Sequence, residues 1–78
     1  MSKSLEQEIE ATLEGLPEQC RQIFILSRMK GMKHKEIADL LNISHKTVET
    51  QIYRALKVFK RRFKWVELMF IYIFFNFL

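Results

Sequence analysis

The 78-residue sequence holds one cysteine, one proline and two glycines, and each shortage removes a class of answer. A lone Cys20 forbids an intrachain disulfide. It is compatible with a reducing cytoplasm and reads as a small buried hydrophobe. So few Gly and Pro leave no punctuation for a succession of strands and loops, and no stretch sustains a two-residue alternation of apolar and polar side chains. The fold class expected is therefore all-α, a small helical bundle. There is no Gly-rich phosphate loop, no Ser, His and Asp constellation and no carboxylate pair set among apolar residues, so neither an enzyme nor a cofactor is expected. Cys20, His34 and His45 fall on separate elements without paired spacing, which argues against a metal site. The longest uncharged run, Leu68 to Leu78, is eleven residues, whereas a membrane-spanning helix needs about 20. No secretory order of charge, apolar run and cleavage site is present at the C-terminus. A chain this short has room for one domain that buries about 60 to 65% of its unfolded surface.

What the sequence does have is charge, unevenly placed. Residues 1–18 carry five Glu against Lys3, whereas residues 19–64 carry twelve Lys and Arg against Glu36, Asp39 and Glu49. The basic block is interspersed with Tyr and Phe, a composition that fits a nucleic-acid binder better than a merely solvated face. The periodicity divides the chain into three. Residues 1–15 form an acidic amphipathic linker helix, with Leu5, Ile9 and Leu13 four apart and Gly15 at its end. Residues 16–64 form the central domain. Residues 65–78 form an apolar tail that begins WVELMFIY.

Within the central domain, Pro17 is expected at the first helical position with Glu18 opposing the helix dipole, and Leu16, Cys20, Ile23, Phe24 and Ser27 face inward. Ile25 and Met29 make a second apolar stripe that meets either a partner or the same small core. Gly31 closes this helix. Lys35 to Leu41 then place Ile37, Ala38, Leu40 and Leu41 on one face. Asn42 tolerates the left-handed conformation that ends a helix, Ile43 is an apolar plug, and Ser44 can cap the next helix. That next helix turns Val48, Ile52, Ala55 and Phe59 inward and is expected to run to about Lys64. The whole is a helix-turn-helix. Its outer face carries Lys46, Thr47, Glu49, Thr50 and Tyr53 as candidates to read base edges, with Lys33, Lys35, His45, Arg54, Lys57 and Arg61 placed for phosphates. His34, also at a helix start, belongs near phosphate or solvent.

The run LPEQCRQIFILSR followed by GMKHKEIADLLNISHKTVETQIYRALK resembles region 4 of bacterial RNA polymerase sigma factors, most closely the extracytoplasmic-function group, over about Leu16 to Arg62. The combination is more specific than the EIA and TV dipeptide pattern shared by many helix-turn-helix families. One departure is Lys33, where such domains often carry a Ser or Thr cap. The resemblance implies a cytoplasmic module for transcription initiation that recognises the minus-35 promoter element in double-stranded DNA. It also implies docking on the RNA polymerase core through the beta flap, here assigned to Ile25 and Met29, with an anti-sigma protein as a further partner. The duplex-melting domain of a full sigma factor has no counterpart in these residues. Two other readings compete. Response-regulator and quorum-sensing type activators share the EIA..L.IS..TV core but usually open with LT.RE rather than LPEQCR. A membrane-associated interaction protein would act instead through residues 65–78. In that tail Trp65, Met69, Phe70, Ile73, Phe74 and Phe77 recur as one face while Tyr72, Phe75 and Leu78 make the other apolar too, so self-association is expected when polymerase is absent.

Overall fold

The computed structural model describes residues 4–77, with side chains as far as Ile73, so the expectations for Phe74, Phe75, Phe77 and Leu78 lie outside the described residues. Five helices follow one another: α1 (Leu5–Glu14), α2 (Glu18–Arg28), α3 (His34–Leu41), α4 (His45–Arg62) and α5 (Trp65–Phe77). No strand occurs among the described residues, and none of their helices is long and apolar enough to cross a membrane.

Local chemistry fixes most of the boundaries. Ser4 caps α1, its hydroxyl accepting from Gln7 N–H at 3.2 Å while the Gln7 side chain accepts from Ser4 N–H at 3.0 Å, a reciprocal box that satisfies two otherwise orphaned donors. Pro17 has extended ψ and is the cap of α2 rather than its first residue, one position earlier than the sequence suggests. The helix ends at Arg28, two residues short of the Gly expected to stop it. The Lys30 amide closes on the Ile25 carbonyl at 3.1 Å, and Gly31 at φ +69° takes a left-handed step that lets the Met32 amide return to the Leu26 carbonyl at 3.0 Å. Without a Cβ the step costs Gly31 little.

The core is two clusters joined by one helix. The larger holds Ile9 and Leu13 of α1, Leu16, Cys20 and Phe24 of α2 and its approach, Ala55, Phe59 and the following Phe63, and Ile71 of α5. The smaller holds Ile23, Ile37, Ala38, Val48 and Ile52. Leu56 packs against both, so α4 is the common wall of the molecule. Phe24, Phe59 and Phe63 form a stacked row, with ring centroids 5.2 and 5.5 Å apart, a geometry that adds about 0.5 to 1.5 kcal/mol per pair beyond area burial.

Three expectations change. The segment read as a linker helix contributes Ile9, Thr12 and Leu13 to the interior, and the Thr12 hydroxyl is satisfied by the Glu8 carbonyl at 2.7 Å. Leu40 is 62% exposed, because the buried arc of α3 is centred on Ile37, Ala38 and Leu41 and residue 40 falls about 105° away from that centre at 100° per residue. Finally, the apolar pattern that continues through Phe63 does not continue the helix. Phe63 is extended at φ −122° and ψ 146°, Glu67 accepts from Lys64 N–H at 2.8 Å, and α5 starts afresh in a new direction. That corner brings Ile71 and Leu68 onto the Phe24, Phe59 and Phe63 cluster. The domain therefore offers the tail more cover than the sequence suggests, although Trp65, Val66, Met69, Phe70, Tyr72 and Ile73 stay exposed.

Candidate nucleic-acid interface

The turn between α3 and α4 positions everything that could touch a duplex. Asn42 adopts φ 55° and ψ 49°, the left-handed conformation that Asn pays less for than most residues. Ile43 N–H then bonds the Ala38 carbonyl at 3.0 Å, and its half-buried side chain plugs the smaller cluster. Ser44 is extended, and its Oγ accepts from Thr47 N–H at 3.0 Å, a cap worth about 1 kcal/mol. At the start of α3 the missing Ser or Thr is half replaced. Lys33 has no acceptor to offer the helix, but Glu36 Oε1 accepts from Lys33 N–H at 2.8 Å.

With Val48, Ile52, Ala55 and Phe59 buried, helical geometry turns the other side of α4 to solvent. Lys46, Glu49 and Tyr53 are exposed there and Thr50 is half-buried beside them, on one face at steps of three and four. Thr47 stands apart from them. It is half-buried, and its hydroxyl lies 2.8 Å from Ser44 Oγ, engaged in the cap. Arg54, Lys57 and Arg61 continue the exposed surface toward the C-terminus of α4. Lys57 Nζ sits 5.4 Å from the Tyr53 ring centroid, and Arg61 Nε donates to the Lys57 carbonyl at 3.4 Å. Lys33 and Lys35 are exposed at the start of α3. Exposed cations thus flank a short polar face.

Two groups of residues depart from expectation. Ile25 and Met29 lie on α2, outside this face. Ile25 is half-buried against the larger cluster while Met29 is exposed, so the second stripe is partly used by the domain itself. His34 and His45, distant in sequence, are neighbours in space, with ring centroids 5.7 Å apart, and His45 Nδ1 lies 3.5 Å from Glu49 Oε1. The two histidines, on separate elements and without paired spacing, are therefore brought together by the fold, contrary to expectation. The i,i+4 spacing of His45 and Glu49 was visible in the sequence, but His34 joins them only through the turn. Cys20 is elsewhere, 1% exposed, with its thiol donating to the Gln51 carbonyl at 3.2 Å. Burial pushes that thiol up from its ordinary 9.0, against the opposing pull of the Arg54 guanidinium and the Ala55 backbone, so Cys20 is not a reactive nucleophile.

The family model described as sigma-70, region 4, matches residues 6–58. Searches of curated proteins and of solved structures gave no match. The matched span takes in most of α1, all of α2 and α3, and α4 as far as Val58, which ties the acidic N-terminal helix to the same unit as the helix-turn-helix. The chain belongs to the sigma-70 region 4 family, a family of DNA-binding regulatory domains not known as enzymes.

Proposed function

We propose that this domain recognises the minus-35 element of promoters in the cytoplasm and docks on the beta flap of RNA polymerase, in the manner of the extracytoplasmic-function group. The supporting observation is the outer face of α4, where Lys46, Glu49 and Tyr53 are exposed with Thr50 half-buried beside them, beyond a capped, left-handed turn. In this reading those four side chains and Thr47 meet base edges in the major groove. Lys33, Lys35, His45, Arg54, Lys57 and Arg61 hold phosphates, while Met29, with the outer edge of Ile25, meets polymerase. An anti-sigma protein would cover overlapping surface. The family match disfavours the alternative of a response-regulator output domain.

Glu49 gives the sharpest test, since a carboxylate accepts from the cytosine amine and rejects other bases there. Glu49→Ala should change the preferred base at one position, with a discrimination of about 1 to 3 kcal/mol lost. The measurement is selection of bound duplexes from a randomised library. An unchanged preference removes Glu49 from the reading set.

A second reading concerns α5, which leaves Trp65 83% exposed together with Met69 and Ile73 along a groove of about 590 Å³. In this reading copies of the chain associate through that face when polymerase is absent. A 13-residue helix is too short to span a bilayer, which needs about 20 residues.

A further inference from the structure

His34 and His45 are the first residues of α3 and α4, and the turn through Asn42 folds those two starts onto each other. Their ring planes meet at 50° with centroids 5.7 Å apart. Glu49, one turn further along α4, brings Oε1 to 3.5 Å from His45 Nδ1. One ligand atom from each of the three residues lies within 4.8 Å of the other two. Around a tetrahedral ion with bonds of about 2.0 to 2.2 Å, neighbouring donor atoms sit roughly 3.3 to 3.6 Å apart. The His45 to Glu49 separation already has that value, and the remaining distance closes by rotating side chains that are exposed or half-exposed. We propose that His34, His45 and Glu49 form a binding site for a divalent transition-metal ion of the zinc, nickel and copper class, with water at the open position.

The donor set chooses the class. Two imidazoles and one carboxylate suit borderline ions, whereas calcium and magnesium demand six or more oxygen ligands. An ion pair between His45 and Glu49 would account for only two of the three groups. The third ligand comes from another helix, so the ion would tie α3 to α4 across the turn. Opposing it are the positive ends of both helices and the cations Lys33, Lys35 and Lys46, which place the affinity well below that of closed four-ligand sites. Glu49 also belongs to the base-reading set proposed above. On that reading ion and duplex compete for its carboxylate.

Calorimetric titration of the intact chain with Zn²⁺ tests the site, with Co²⁺ absorption as a second readout. One ion per chain is expected. His34→Ala and His45→Ala should each weaken binding by more than about tenfold, the lower bound seen even for residues that only support ligands, and Cys20→Ala should leave it unchanged. Failure to saturate at millimolar Zn²⁺, binding that survives His34→Ala, or binding that disappears with Cys20 would each overturn the site. Circular dichroism on every variant separates a lost ligand from a lost fold, and His34→Gln and His45→Gln provide second variants should Ala unfold the turn. DNA titrations with and without Zn²⁺ address the competition separately. The intact chain should bind DNA more weakly in Zn²⁺, and His34→Ala should not respond to the ion whatever its own affinity. Equal DNA binding with and without saturating Zn²⁺ would overturn the competition and leave the site standing. DNA binding that appears only with Zn²⁺ would likewise overturn the competition, and no DNA binding with or without Zn²⁺ would instead speak against the promoter reading.

Discussion

Asn42 and Ser44 show what a single residue can announce in advance. Each has a side chain or backbone preference that suits one place in a turn and few others, so the left-handed step and the cap could be assigned before any coordinates. Leu40 shows the opposite. Apolar spacing says which residues share a broad arc, but the centre of that arc is set by where α2 and α4 lie, and residue 40 falls outside it. His34 is a third kind of case, because its neighbours belong to another helix and no local pattern records them. Cys20 yields a prediction at this scale. The folded state holds the thiol proton more tightly than the unfolded chain does, so the contribution is intact below 9.0 and is lost as pH climbs through the raised folded value. Wild-type chain should therefore lose stability relative to Cys20→Ala as the pH is raised from neutral to above 9.0. Urea melts of both proteins across that range measure the difference, and a constant gap would contradict the assignment.

At the scale of elements, α2, α3 and α4 were legible because each carries a long stripe at steps of three and four, framed by Pro17, Asn42 or Ser44. The ends were less so. α1 has a narrow stripe that fits a linker as well as a packed helix, although Ser4 and Gln7 spell its capping box. α5 is apolar all round, and periodicity cannot choose a buried side when every side qualifies. The structure chooses Leu68 and Ile71, and the choice follows from the corner at Phe63 and Lys64. Ile71→Ala should accordingly destabilise the domain by about 2 to 5 kcal/mol, read by thermal or urea unfolding. Polar replacements of Trp65 and Met69 should leave stability within about 0.5 kcal/mol yet reduce self-association in sedimentation experiments. Deleting residues 66–78 removes both contributions at once, so the truncated chain should be less stable as well as less associated. If Ile71→Ala costs nothing, α5 does not belong to the core.

For the molecule as a whole, the separation of charge outlined by the sequence survives folding. The acidic residues of α1 stand on a helix whose apolar side packs against the cluster shared with α4, while exposed Lys and Arg line the helix-turn-helix. Cations that ring a reading face should contribute to every duplex alike. Replacing Lys35, Arg54 or Lys57 by Gln should weaken binding to all sequences and flatten the slope of log affinity against log salt by about one unit each. Fluorescence anisotropy over a range of salt concentrations measures this, and an effect confined to one promoter sequence would reassign the residue to base reading.

The unbroken run of α4 from His45 to Arg62 has a consequence for how such a chain can vary. Its first half turns Glu49 and Tyr53 outward and seats Val48 and Ile52 in the smaller cluster, while its second half, from Ala55 to Phe59, seats the interior shared with α1, α2 and α5. One added or deleted residue between those halves would swivel one end against the other by about 100°, so that Glu49 and Tyr53 could keep their bearing only if Phe59 abandoned its seat. Substitutions along the outer face leave the interior in place and, on the proposed reading, retune which promoters are chosen. Length changes within the rod cannot do so without unseating the interior, and on that reading a change of specificity comes by substitution alone.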